Sequence, residues 1–148
     1  ELAVQASYET ILSVAEVYER SSTKSNLFSL MEIFKKYYLD SAHFLPHVPE
    51  NHKCRNMHGH TYKLIVFISG NAENKNGWVK DFAVLKSTIN PIIEIIDHKV
   101  LNDISGLENP TCENIARWLW VKIKEVIPEL IRIELHETPT TGVIYSGE

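Results

Sequence analysis

The chain has 148 residues, the length of one ordinary domain, and 44% of them are hydrophobic, enough for a packed core and too many for a disordered chain. A net charge of −4 without any basic run or stripe argues against a nucleic-acid-binding surface, although an acidic protein can still hold a locally positive pocket for an anionic small molecule. There is no charged-then-apolar leader and no apolar run of bilayer-spanning length, and two cysteines, Cys54 and Cys112, fit a reducing cytoplasm better than a disulfide framework.

Residues 1–20 place Tyr8, Ile11, Leu12, Ala15 and Tyr18 at helical spacing, and the serine-rich stretch 20–29 reads as a linker, so the compact domain is expected to begin near residue 30. MEIFKKYYLDSAHF, residues 31–44, is rich in β-branched and aromatic residues and predicts a strand. A loop with two prolines follows. HGHTYKLIVFISG, residues 58–70, then alternates so that His58, His60, Tyr62, Leu64, Val66 and Ile68 share one face of a second strand. Asp81 can cap a helix with Phe82, Leu85, Ile89, Ile92, Ile93 and Ile96 on its apolar side, which Pro91 should bend or break. DHKVLNDISGLEN reads as a loop. Pro110 opens a second helix that buries Ile115, Trp118, Leu119, Ile123 and Val126. ELIRIELHET puts Ile131, Ile133, Leu135 and Glu137 on one face of a third strand, and GVIYSGE ends the chain as a fourth. Two strands, two helices and two strands predict an α+β domain: an antiparallel four-stranded sheet with both helices on one face, whose edges invite oligomer formation.

His58 and His60 stand two residues apart on a strand, so their rings project from the same face roughly 6–7 Å apart. Gly59 between them removes bulk from the opposite face. Two such imidazoles can converge on a zinc ion, and a catalytic zinc needs a third protein ligand. His43, at the end of the preceding strand, is better fixed for that role than His47 or His52 in the loop. Cys54 could close the site as a fourth ligand, and spacing does not separate an open centre from a closed one.

Three further groups can carry protons or bind a ligand. Cys54 lies between Lys53 and Arg55, whose charges favour the thiolate. Asp97 and His98 are adjacent at the end of the first helix, where a carboxylate can orient an imidazole. Glu137 follows apolar residues on the inward face of its strand, where a carboxylate is costly unless it meets a donor.

SAHFLPHVPENHKCRNMHGHTY, GWVKDFAVLK, IIDHKVLNDISGLENPTCENIARWLW and HETPTTGVIY, in that order from about residue 31 to the C-terminus, together resemble the 6-pyruvoyl-tetrahydropterin synthase family, which has the tunnelling fold (T-fold). Three residues separate Cys54 from the H-G-H, as in the queuosine-pathway branch. The biopterin-forming branch has a longer gap there. A folate-related branch has a glutamate where Arg55 stands. The resemblance implies that His43, His58 and His60 bind zinc, that Cys54 is the catalytic cysteine with Asp97 and His98 as proton-transfer partners, and that Glu137 holds the pterin edge. It further implies that Thr111, Cys112 and Glu113 border the pterin. The implied lyase reaction converts 7,8-dihydroneopterin triphosphate to 6-carboxy-5,6,7,8-tetrahydropterin, with release of acetaldehyde and triphosphate. A 6-pyruvoyl product from the same substrate, or a non-catalytic zinc and pterin module, are the alternatives. A hexamer of two trimers with active sites at subunit boundaries is also implied. Residues 1–29 have no counterpart in the resemblance.

Overall fold

A computed structural model describes residues 30–147, in which five strands build one sheet. The helix and linker expected within residues 1–29 lie outside the described residues. The elements in chain order are β1 (Leu30–His43), β2 (His58–Asn71), α1 (Phe82–Ile96), β3 (Lys99–Val100), α2 (Cys112–Val126), β4 (Leu130–Thr138) and β5 (Thr141–Tyr145). The spatial order is β3-β1-β2-β4-β5. Neighbours are antiparallel except β3, which pairs parallel with β1. The fifth strand corrects the expected four. It comes from the stretch read as a loop, and two residues are too few to display an alternating pattern.

β1 and β2 run in unbroken register from Leu30 opposite Asn71 to His43 opposite His58. One face of the sheet carries Tyr37, Leu39, Tyr62, Leu64, Val66, Ile68, Ile133 and Leu135, and it packs with Leu85, Ile89, Ile93 and Ile96 of α1 and Ile115, Leu119 and Ile123 of α2 into one apolar core. Phe82 and Val126, expected in these stripes, are exposed because they stand at helix ends that no packed element covers. The Asp81 carboxylate caps α1 by accepting from the Ala83 N–H (2.6 Å), and the Thr111 hydroxyl caps α2 by accepting from the Asn114 N–H (3.3 Å).

Two expectations about these elements are corrected. The helix α1 runs through Pro91 without a break, because the ring lies on the exposed side, where the carbonyl left without its partner can meet water. In β4 the strict alternation fails at Ile131: Ile68 pairs with Leu130 and Phe67 with Arg132, so Ile131 is an extra residue and Leu130 enters the core instead. Among the described residues no helix packs on the other sheet face, and Phe34, Tyr38 and Ile144 stand exposed on it.

Candidate metal centre and active-site cleft

β1 ends where β2 begins, and the antiparallel register sets His43 directly opposite His58, with His60 one pleat further along. The three ring centroids are 4.5, 5.2 and 5.0 Å apart, and one nitrogen from each ring lies within 4.8 Å of the others. His43 is fully buried; His58 and His60 are half-buried.

The tautomers follow from the partners. His43 Nδ1 lies 2.8 Å from the Pro110 carbonyl, and His58 Nδ1 lies 2.8 Å from the Asn56 carbonyl. A carbonyl oxygen only accepts, so each Nδ1 carries the proton and each Nε2 turns a lone pair to the centre. His60 Nε2 is buried with no hydrogen-bond partner. Glu137 Oε1 stands 3.5 Å from His43 Nε2 and 3.6 Å from His60 Nε2, too far for good hydrogen bonds. These lone pairs and a carboxylate converge with the Tyr62 phenol as a neighbouring donor, too few donors to satisfy them all, and form a suitable shell for a divalent cation. The imidazole donors suit zinc. The Cys54 thiol is not among the converging donors.

Cys54 instead lines a cleft of about 520 Å³ whose floor is the triad and whose walls include Lys53, Glu137, Thr138 and Thr141. It sits on a 3-10 turn, Lys53–Arg55. Its N–H donates to His52 Nδ1 (3.1 Å) and its carbonyl accepts from the Leu45 N–H (2.8 Å), which fixes the turn. The Arg55 guanidinium donates to the Pro46 and Val48 carbonyls (3.3 and 2.9 Å), so it staples the loop. His47 and His52 are both exposed.

The segment expected to border the pterin touches the site from behind. Thr111 is the helix cap, Glu113 is exposed, and the half-buried Cys112 thiol donates to the Leu135 carbonyl at 3.5 Å. Burial pushes the Cys112 thiol up to about 12, with the nearby Glu137 and Glu113 charges adding to the effect, so it remains protonated.

Asp97 and His98 form a separate unit. His98 Nδ1 lies 3.0 Å from Asp97 Oδ2, while Asp97 Oδ1 accepts from the Asp40 N–H (2.8 Å) and the His98 N–H donates to the Asp40 carbonyl (2.6 Å). Burial would raise the Asp97 carboxyl, but the Asp40 N–H and His98 outweigh it and hold it below the usual range. His98 takes a left-handed backbone at φ 56°, uncommon without glycine, and its ring is largely exposed. It borders a second cleft, of about 540 Å³, together with Asp40, Gly59, Thr61 and Lys99. Within one chain, therefore, Cys54 and His98 line different clefts, and among the described residues His60 alone borders both.

Sequence reasoning missed several supporting groups. The Tyr62 phenol is fully buried and lies 3.4 Å from both ring nitrogens of His43. Its place on the His58–His60 face is the signal that could have found it. The carbonyls of Pro110 and Asn56 and the backbone of Asp40 act through main-chain atoms, which leave no side-chain signature.

A profile of the 6-pyruvoyl tetrahydropterin synthase family matches residues 32–148. A protein of Synechocystis sp. named 6-carboxy-5,6,7,8-tetrahydropterin synthase is 38% identical over 119 residues, which cover 76% of this chain and 91% of that one. A protein of Pyrococcus furiosus named dihydroneopterin monophosphate aldolase is 37% identical over 100 residues, 66% of this chain and 84% of that one. Among solved structures, the 6-pyruvoyl tetrahydropterin synthase of Caenorhabditis elegans superposes with a TM-score of 0.76 at 26% identity, over 82% of this chain and 98% of that one.

Proposed function

The chain belongs to the 6-pyruvoyl tetrahydropterin synthase family, and from that premise we propose that it is a lyase converting 7,8-dihydroneopterin triphosphate to 6-carboxy-5,6,7,8-tetrahydropterin, with release of acetaldehyde and triphosphate, a reaction of queuosine biosynthesis. The observation that carries this reading is the imidazole centre: three buried or half-buried rings, two with Nδ1 tied to carbonyls, all opening onto one cleft that also holds a thiol and a carboxylate. The relative from Synechocystis sp. supports the 6-carboxy product over the 6-pyruvoyl one.

His43, His58 and His60 would hold zinc, which when bound supplies Lewis-acid polarisation of the substrate side chain. Glu137 accepts two N–H bonds from the guanidine-like edge of the pterin, a paired contact that fixes the plane and direction of the ring. Thr111, Cys112 and Glu113 border that ring, with Cys112 as a neutral thiol. Cys54, on its fixed turn, removes and returns protons at the substrate side chain. His98, oriented by Asp97, is the second proton carrier. Because His98 faces another cleft within its own chain, a neighbouring copy supplies it to the Cys54 cleft, and the working assembly is a hexamer of two trimers with sites at subunit boundaries. On this reading residues 30–148 are the catalytic domain and residues 1–29 an extension to it. Both cysteines are free thiols, in keeping with a cytoplasmic setting. No helix among the described residues is long and apolar enough to cross a membrane.

The test is incubation of zinc-loaded protein with 7,8-dihydroneopterin triphosphate and mass analysis of the products. Acetaldehyde with a 6-carboxy pterin is the expected result. A 6-pyruvoyl product without acetaldehyde assigns the chain to the sibling reaction, and pterin binding without turnover assigns it a binding role.

A further inference from the structure

β2 and β4 do not stay paired to their ends. Their ladder stops at Lys63 opposite His136, yet β2 continues to His58 against β1 and β4 continues through Glu137 to Thr138. Beyond Lys63–His136 no further ladder pair joins the two strands. Gly59 lies in this stretch of β2 and adds no side chain to it. His60, Glu137 and Thr138 line the metal cleft on the helix side, and the same three residues line a further cleft of about 520 Å³ that also takes in Tyr38, Lys63 and His136. Period-2 alternation sends Lys63 and His136 to the face opposite the triad, side by side across the last ladder pair.

Charge distinguishes this outer cleft. Lys63 is half-buried, and among the described residues its ammonium has no ion pair, whereas Lys80 is matched by Glu129 and Arg132 by Glu32 and Glu134. His136 lies beside it, with Glu134 3.4 Å away on the ring's Nε2. Two hydroxyls, of Tyr38 and Thr138, complete the lining. A half-buried ammonium without a counter-ion is a ready partner for an anion.

We propose that the outer cleft beside Lys63 and His136 is the seat of the substrate's phosphate chain, which reaches it from the metal cleft past His60, Glu137 and Thr138, the residues the two clefts share. This rests on the pterin triphosphate reading above and adds to it the residues that hold the tail. Lys63 is then a binding residue whose charge counts phosphates. It acts on a triphosphate far more than on a substrate with a short tail or none.

The experiment uses the full zinc-loaded chain and four variants, Lys63→Gln, Lys63→Arg, His136→Gln and Lys53→Gln. Inorganic tripolyphosphate serves as the competing probe and unphosphorylated dihydroneopterin as the tail-free control. Lys63→Gln should raise KM for the triphosphate substrate and the tripolyphosphate inhibition constant together by about tenfold, the scale of a charge-assisted contact. Zinc content, kcat and dihydroneopterin affinity should stay as in the parent. Lys63→Arg should restore most of the loss, and His136→Gln should shift both constants in the same direction as Lys63→Gln. Unchanged constants in Lys63→Gln, or a loss confined to Lys53→Gln, would overturn the proposal and put the tail inside the metal cleft. If the parent protein turns over no pterin yet binds tripolyphosphate through Lys63, the anion site stands and the catalytic reading fails. If turnover proceeds and Lys63→Gln is silent, only the tail site fails.

Discussion

His43 differs from its two companions in being fully enclosed, and that difference sets a pH dependence. Burial lowers its affinity for a proton below that of an ordinary imidazole; the Pro110 bond and the Glu137 charge oppose the shift, while His58 and His60 add to it. A histidine kept neutral in the fold but free to charge in the unfolded chain stabilises the fold fully above the ordinary value of 6.5. That contribution is lost as pH falls from there toward the lower folded-state value. The metal-free protein should therefore melt at progressively lower temperature below about pH 6.5, and His43→Phe should flatten the dependence in scanning calorimetry. Cys54 is tied to the site by its backbone, so its side chain can be changed without moving the imidazoles. Cys54→Ala should lower turnover by about 10² to 10⁴-fold, the range of a lost general acid–base group, with zinc content unchanged in elemental analysis. Much of this was legible beforehand. Alternation alone put His58, His60 and Tyr62 on one strand face, and a carboxylate among inward apolar residues marked Glu137. The role of Pro110 was not legible, since any residue's carbonyl could have received the His43 proton.

Helix α1 shows how context overrides a local rule. A proline in the tenth position of a fifteen-residue helix should interrupt it, yet the ring faces solvent and the apolar stripe Leu85, Ile89, Ile93, Ile96 holds both halves on the sheet. Pro91→Ala restores the missing N–H and removes the ring clash without disturbing the core. It should stabilise the domain by about 1–3 kcal/mol, read as a higher denaturant midpoint at constant slope. The sheet was legible in its long members, because fourteen residues of β2 give seven on each face. It was obscure where the pattern is short or shifted. β3 has two residues, and the extra residue at Ile131 exchanges inward and outward positions for the start of β4.

At the scale of the domain, the sheet face on which no helix of the described residues packs is the prominent unfinished surface. Phe34, at 50% exposure, packs on Phe67, and Tyr38 and Ile144 are 64% and 67% exposed on the same face. An apolar face of this kind on a sheet with open edges is consistent with the proposed oligomer. Phe34→Glu puts a carboxylate there at little cost to the single chain. In sedimentation it should convert the proposed hexamer to smaller species, and turnover should fall with zinc still bound, because in the proposed assembly Cys54 and His98 meet across copies. A parent protein that sediments as a monomer and is fully active would remove the shared site. The α+β class and the single-sided helices were readable from element order. Which clefts share a wall was not, because that depends on where the β2–β4 ladder ends, and no residue type announces it.

Among the described residues, His60 is the one that borders the metal cleft, the His98 cleft and the outer cleft. Its imidazole is therefore a built-in probe. With ring nitrogens labelled in 15N, a single resonance would move when the cation arrives, when a pterin docks and when an anion settles in the outer cleft, so three occupancies could be followed by nuclear magnetic resonance in one titration.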